Sequence, residues 1–459
     1  MRNTQIDPAA LASYLALGYV AGDGSLTLGI RSLPPGHYML LAQGRTAKPQ
    51  RYWDVAQNFR QKRGFPNEAA AAEELQALVD DAVRLRLVSD VPLGAFLSGG
   101  IDSSTTVAAM AHLGDRGRVQ TFCAGFAERG YSETANARAV AAHLQVDHHD
   151  CEVAAEAATL IPAFIAAGAE PFADTSALPM YLVAGFARKR VTVCLSGDGA
   201  DEIFAGYETY VADKAHAMLN WVPHWGRRSF RFLAESLLPV THGKVGIDFK
   251  IRQFANGLLC DAARAHYTWR LLIDRDERAA LLRPEWQQAV ADTDPFAAFA
   301  PHFCEVDDCD PIDQAMYVDL KTWLPNDILV KVDRMTMAHS LEARAPFLDH
   351  RLIEFAASLP VSAKLRGLRK KHLLKKSQEG RLPRDVLARR KLGFNAPVSP
   401  WLLGPLREFA RDTLVDRQMD TWFRRRAVDK LWDDHEGRRR DNGMRLMNLL
   451  CFALWLRSV

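Results

Sequence analysis

The sequence predicts an α/β fold, a doubly wound parallel sheet with a largely helical C-terminal part. Three observations predict it. Short apolar runs alternate with helical periodicities between about residues 66 and 210. Two glycine-bearing turns, at 98–100 and 196–199, directly follow two of those runs. Beyond Tyr207 no comparable strand run occurs, and amphipathic stretches rich in Trp, Leu and Arg continue to the end. Strands separated by helices need crossover connections, which give a parallel sheet covered on both faces. Such sheets bind ligands outside the carboxyl ends of their strands, where both turns fall.

The elements follow in order. Residues 9–17 read as an amphipathic helix, followed by Pro34, Pro35 and Gly36 and a strand-like piece over 38–41. A polar stretch over 43–67, with Tyr52 and Trp53, joins this unit to the rest. An Ala-rich helix over 68–87 places Leu75, Leu78, Val79, Ala82 and Val83 on one side. Strands are then expected over 93–97, 119–126, 146–153 and 191–195. Helices are expected between them over 105–113, 132–144, 155–167 and 177–188, and a last one over 444–456. His148 and His149 read as strand residues.

The whole chain narrows the function class. It is 459 residues long, 48% hydrophobic and 25% charged, which suits a globular enzyme of two or three units. A formal net charge of +3 gives no argument for a nucleic-acid or membrane partner. The seven cysteines are odd in number, scattered and without a C-x-x-C pair, which suits reduced core thiols rather than disulfides or a zinc site. No signal pattern opens the chain, and no apolar run reaches membrane-spanning length, so a cytoplasmic location is expected.

The first turn is Leu97, Ser98, Gly99, Gly100, Ile101, Asp102, Ser103, Ser104. Its glycines allow a tight turn and close backbone approach. Its hydroxyls and the amides of the next helix start suit phosphate oxygens. Asp102 would repel phosphate unless it holds Mg²⁺ that bridges to it. A Walker-A lysine is absent, so this is a different phosphate loop. The second turn, Ser196, Gly197, Asp198, Gly199, Ala200, Asp201, Glu202, carries acids that could face Mg²⁺ or an amine.

These residues resemble the asparagine synthetase family, within the ATP-pyrophosphatase (PP-loop, adenine nucleotide alpha hydrolase-like) class. The likeness continues through Phe204, Gly206 and Tyr207, through Val332, Asp333 and Arg334 to Glu342, Arg344, Pro346, Leu348 and Asp349, and through Arg390, Lys391, Gly393 and Phe394. The resemblance implies that Leu97, Ser98, Gly99, Gly100, Asp102, Ser103, Ser104, Ala124, Ser196 and Gly197 bind ATP and pyrophosphate. It implies catalytic roles for Asp198 and Lys391, substrate-side roles for Asp201, Glu202, Arg334, Glu342 and Arg344, and Mg²⁺ on Asp102 and Asp201. Lys370, Lys371, Lys375 and Lys376 read instead as a solvated helix face. Function would be ATP-dependent amide formation: aspartate activated as an acyl-adenylate, pyrophosphate released, and ammonia captured to give asparagine.

By the same resemblance, residues 1–65 are the tail of an N-terminal class II glutaminase domain plus linker. Residues 66–459 are then the synthetase, with an α/β core to about 210 and a helical part from about 211. Position 2 is Arg2 rather than a nucleophilic cysteine, so the chain is expected not to hydrolyse glutamine. Free ammonia or a glutaminase in trans would serve; the resemblance is compatible with a homodimer. Glu170 to Asp174 and Lys321 to Pro325 resemble the exosortase-associated amidotransferase branch, which opens a different acceptor carboxylate, in polysaccharide or cyclase chemistry. A non-catalytic remnant is the third reading.

Overall fold

The computed structural model describes residues 5–458 apart from 43, 45–46, 115–117, 127, 129–130, 154–158, 220, 239–245, 390–392 and 394. Four of the five strands of the central sheet form where the sequence places them. Its strands are β1 (Leu93–Phe96), β2 (Gln120–Phe126), β3 (Asp147–Val153), β4 (Val193–Leu195) and β5 (Glu342–Arg344). All neighbours pair parallel, in the order β3-β2-β1-β4-β5. The chain therefore adds strands to one side of β1 and then to the other, so the order reverses between β1 and β4. That reversal opens a crevice at the carboxyl ends of these two strands.

The flanking helices are α1 (Pro8–Leu17), α2 (Glu68–Arg86), α3 (Ile101–Leu113), α4 (Thr134–Leu144), α5 (Ala177–Ala187), α6 (His224–Leu237), α7 (Pro311–Lys321), α8 (Leu329–Met337), α9 (His372–Ser377) and α10 (Gly443–Leu456). Alternation along β2 divides the core between the two faces. Phe122, Ala124 and Phe126 face α5, while Cys123 joins Ala95 and Leu97 against the side of α2, α3 and α4.

Three expectations change. α3 begins at Ile101 rather than near 105, because Gly100 adopts an extended N-cap conformation and draws Asp102, Ser103 and Ser104 into the first turn. The helix expected over 155–167 spans Ile161–Gly168, and residues 154–158 lie outside the described part. β5 was not expected: Glu-Ala-Arg carries no apolar run, and backbone pairing to β4 holds it at the sheet edge. α1 is buried from Ala10 to Leu17. Tyr14 Oη donates to the Asn448 carbonyl on α10 (2.7 Å), and Asn448 Nδ2 returns a bond to the Leu15 carbonyl (3.1 Å). The N-terminal helix is thus packed into the same core as the last one.

Candidate functional site

Both glycine turns sit at the crevice and touch each other. The β1–α3 turn needs Gly99 at φ +77°, and a Cβ there would lie 2.6 Å from the Asn136 carbonyl carbon of α4. Ser98 Oγ and Ser103 Oγ lie 3.1 Å apart, and Ser103 Oγ also accepts from Ser98 N (3.2 Å), which closes the turn over the helix start. The β4 turn packs directly on it. A Cβ on Gly197 would meet Ser103 N at 2.7 Å and the Asp102 carbonyl carbon at 2.9 Å, and Thr106 Oγ1 donates to the Ser196 carbonyl (3.3 Å). Ser104 is fully buried and its hydroxyl has no partner among the described residues.

An ammonium joins the two turns. Lys371 Nζ lies 2.5 Å from Asp102 Oδ1, 2.6 Å from Asp102 Oδ2 and 2.6 Å from Asp201 Oδ1. The lysine is buried; burial works against its charge, but Asp102 and Asp201 outweigh that and hold its pKa above the usual lysine range. Its backbone is in the left-handed region at φ +54°, with its N–H donating to the Phe204 carbonyl (3.1 Å). Gly206 makes room, since a Cβ there would overlap Lys371 Cε (2.1 Å) and Asp201 Oδ1 (2.0 Å). The solvated-face reading of Lys371 is therefore corrected, and Lys370, whose side chain is only 17% exposed, pairs with the exposed Glu208.

Glu202 is buried behind Asp201 and accepts from Tyr207 Oη (2.6 Å). Tyr207 continues into a buried network. Arg270 lies over the Trp323 ring (4.1 Å) and the Tyr207 ring (5.3 Å) and pairs with Asp319. Asp319 also accepts from Tyr210 Oη (2.7 Å) and faces His266 Nε2 (3.1 Å), while His266 Nδ1 lies 2.7 Å from Asp213.

A second buried charge cluster lies near Asp198. Lys331 on α8 pairs with Asp174 (2.9 Å) and with Ser176 Oγ (2.8 Å). Burial pulls the Lys331 ammonium down, but Asp174, Asp327 and Asp198 outweigh it, so its pKa stands above the usual range. Asp327 is fully buried; burial and then Asp174 push its carboxyl well up, and its Oδ2 has no hydrogen-bond partner among the described residues. Sequence reading singled out neither Lys331 nor Asp327, because both look like ordinary members of amphipathic helix surface.

The remaining expected residues divide. Ala124 lies two residues past the last β1–β2 pair, Phe96–Phe122, so its backbone runs beyond the first turn with pairing only to β3. Arg389 Nη1 donates to the Gly99 carbonyl (2.9 Å); Lys391 lies outside the described residues. Arg334 lies one turn beyond Lys331, half-buried, with no hydrogen bond to either turn among the described residues. Neither the Glu342 nor the Arg344 side chain is brought to the crevice, although the Arg344 carbonyl accepts from Ser196 N at the second turn (2.8 Å). Glu342 is exposed at the opposite edge of the sheet, and Arg344 Nη1 caps the carboxyl end of α2 through the Arg86 (2.8 Å) and Val88 (2.7 Å) carbonyls.

No three His, Cys, Asp or Glu side chains among the described residues form a metal cage. Magnesium nonetheless needs only one or two carboxylates when substrate phosphates and water complete its shell. Asp102 and Asp201 converge on one cationic atom, so this pair fits such an ion.

Residues 74–457 match the asparagine synthase family. The chain is 30% identical over 452 residues to asparagine synthetase [glutamine-hydrolyzing] 1 of Bacillus subtilis, covering 98% of this chain and 69% of that protein. It is 35% identical over 457 residues to a putative asparagine synthetase [glutamine-hydrolyzing] of Mycobacterium bovis, covering 99% and 68%. It is 26% identical over 427 residues to amidase chry2 of Gibberella zeae, covering 82% and 60%.

Proposed function

This chain belongs to the asparagine synthase family of ligases, and from that premise we propose that it couples ATP cleavage to amidation of aspartate. In this reading a carboxylate oxygen of aspartate attacks the α-phosphorus of ATP, and the bond to pyrophosphate breaks. Ammonia then attacks the acyl carbon, and AMP leaves with that oxygen. The observation that supports this best is the pair of interlocked turns held by Asp102, Lys371 and Asp201 at the strand-order reversal.

Amides at the start of α3, the hydroxyls of Ser98 and Ser103, and Lys371 would receive the pyrophosphate oxygens. The Ala124 backbone, with its edge toward β1 left open, would meet the adenine, and Ser196 and Gly197 the rest of the nucleotide. Magnesium, held by Asp102 and Asp201, would offset the negative charge that develops on the departing phosphates. Asp198 and Asp201 would face the acceptor and the incoming amine, with Glu202 held behind Asp201 by Tyr207 and with Lys331 and Asp174 fixing the floor beneath them. Lys391 would neutralise charge in the acyl-transfer step, and ammonia is taken free or from a glutaminase. Positioning and charge stabilisation supply the rate.

A second acceptor remains in play because Asp174 already engages the Lys331 ammonium, and one relative is named an amidase. Pyrophosphate release from ATP and magnesium, with ammonium salt and with or without aspartate, separates the two. Release that requires aspartate supports the first reading. ATP binding without aspartate-dependent release moves the acceptor to another carboxylate.

A further inference from the structure

Helix α6 turns the wrong side outward. Its inward face carries Ala234, buried, and Arg227, whose guanidinium donates to the Leu219, Val222 and Leu258 carbonyls. Its outward stripe, at helical spacing, carries Trp225 (73% exposed) and Phe232 (66% exposed), with Ser229 between them. Trp221 (79%), in the turn before the helix, and Met218 (68%), at the end of the preceding one, are exposed as well. Scattered exposed apolar residues are ordinary, but exposed aromatics aligned along one helix face mark a surface that something covers.

The charges beside the stripe say what that is. Arg228 and Arg231 are exposed along one flank, and Phe249 and Lys250 are exposed on the helix that packs against α6. Among the described side chains of the patch, Glu235 is set against these three cations, and it pairs with Arg231 (2.8 Å). Tryptophan beside arginine suits the boundary of a bilayer, where the ring sits at headgroup depth and the guanidinium reaches lipid phosphate. A 14-residue helix lies along such a surface rather than crossing it, and no described helix is long and apolar enough to cross. We propose that the α6 face docks this protein on an anionic phospholipid surface. The chain's overall charge gives no hint of this, because three cations on one patch are lost in a near-balanced total.

The test is flotation of the full chain with vesicles of phosphatidylcholine alone or mixed with phosphatidylglycerol. The expected result is flotation with the anionic vesicles, weakened by salt. Arg228→Gln/Arg231→Gln should lower partitioning about thirtyfold, from roughly fivefold per charge, and Trp225→Ser/Phe232→Ser should abolish it. All substituted residues are exposed, so both variants should keep wild-type ATP binding, which verifies the fold. Failure of the wild type to float with either vesicle, or flotation unchanged in both variants, overturns the proposal. So does a wild-type dimer in analytical ultracentrifugation that Trp225→Ser/Phe232→Ser converts to monomer, since a second copy would then own the stripe.

Discussion

Replacing Lys371 with methionine removes the cation on which both turns converge while keeping a side chain of similar length. The lysine side chain is 4% exposed, and its partners Asp102 and Asp201 are 20% and 14% exposed. Breaking a buried ion pair leaves uncompensated charge and costs about 3–5 kcal/mol. Because both carboxylates keep some contact with water, Lys371→Met should fall near the lower end, about 3 kcal/mol. Chemical denaturation followed by fluorescence and circular dichroism reads that loss. Adding Asp102→Asn to Lys371→Met should restore part of it, with a coupling of at least about 1 kcal/mol between the two sites. Both forms should release pyrophosphate far more slowly, since the phosphates lose their buried cation. A single variant within about 0.5 kcal/mol of wild type, or strictly additive effects, would refute the assignment of Lys371 as the link between the turns.

Gly197→Ala would press its methyl against Ser103 N and the Asp102 backbone, so ATP affinity should fall while global stability changes less; isothermal titration measures the first. Lys391→Ala and Asp198→Asn should each lower kcat for pyrophosphate release by roughly a hundredfold or more with folding intact. Arg344→Met should lower stability through the lost cap on α2 and leave the KM for ATP unchanged, in a steady-state assay. Burial works against the His266 imidazolium, but Asp213 and Asp319 outweigh it and push its pKa up to about 9 from 6.5. A raised folded-state pKa gives stability that is full below about pH 6.5 and fades as pH rises through about 9. His266→Gln should therefore lose a fall in stability across that window of roughly 3 kcal/mol, seen in denaturation curves at several pH values.

What the sequence revealed was whatever chemistry is local. Ser98 to Ser104 and Ser196 to Glu202 are contiguous, and glycine, hydroxyl and acid types at a strand end announce a phosphate turn without any tertiary contact. Three of the strands, β1, β2 and β4, were legible for the same reason, each being a short run that buries itself, whereas β3 (Asp147–Val153) is polar and only partly buried. β5 was not legible, because three residues paired through their backbone leave no side-chain pattern. Lys371 was hidden among Arg369, Lys370, Lys375 and Lys376. Only its left-handed backbone and the gap at Gly206 turn it inward, and both arise from contacts some 170 residues apart in sequence. Arg344 misled in the opposite direction: it sits among site-like residues in sequence, yet its side chain runs down to the end of α2. Lys331 and Asp327 are buried charges within a helical region, and no local pattern encodes that burial.

The most direct test of the aspartate-adenylate account follows one oxygen atom. Aspartate carrying ¹⁸O in its side-chain carboxylate is incubated with ATP, magnesium and ammonium, and the products are analysed by mass spectrometry. Attack of the carboxylate on the α-phosphorus predicts asparagine, pyrophosphate, and AMP carrying one ¹⁸O. Formation of ADP with labelled phosphate, or AMP without label, would contradict it.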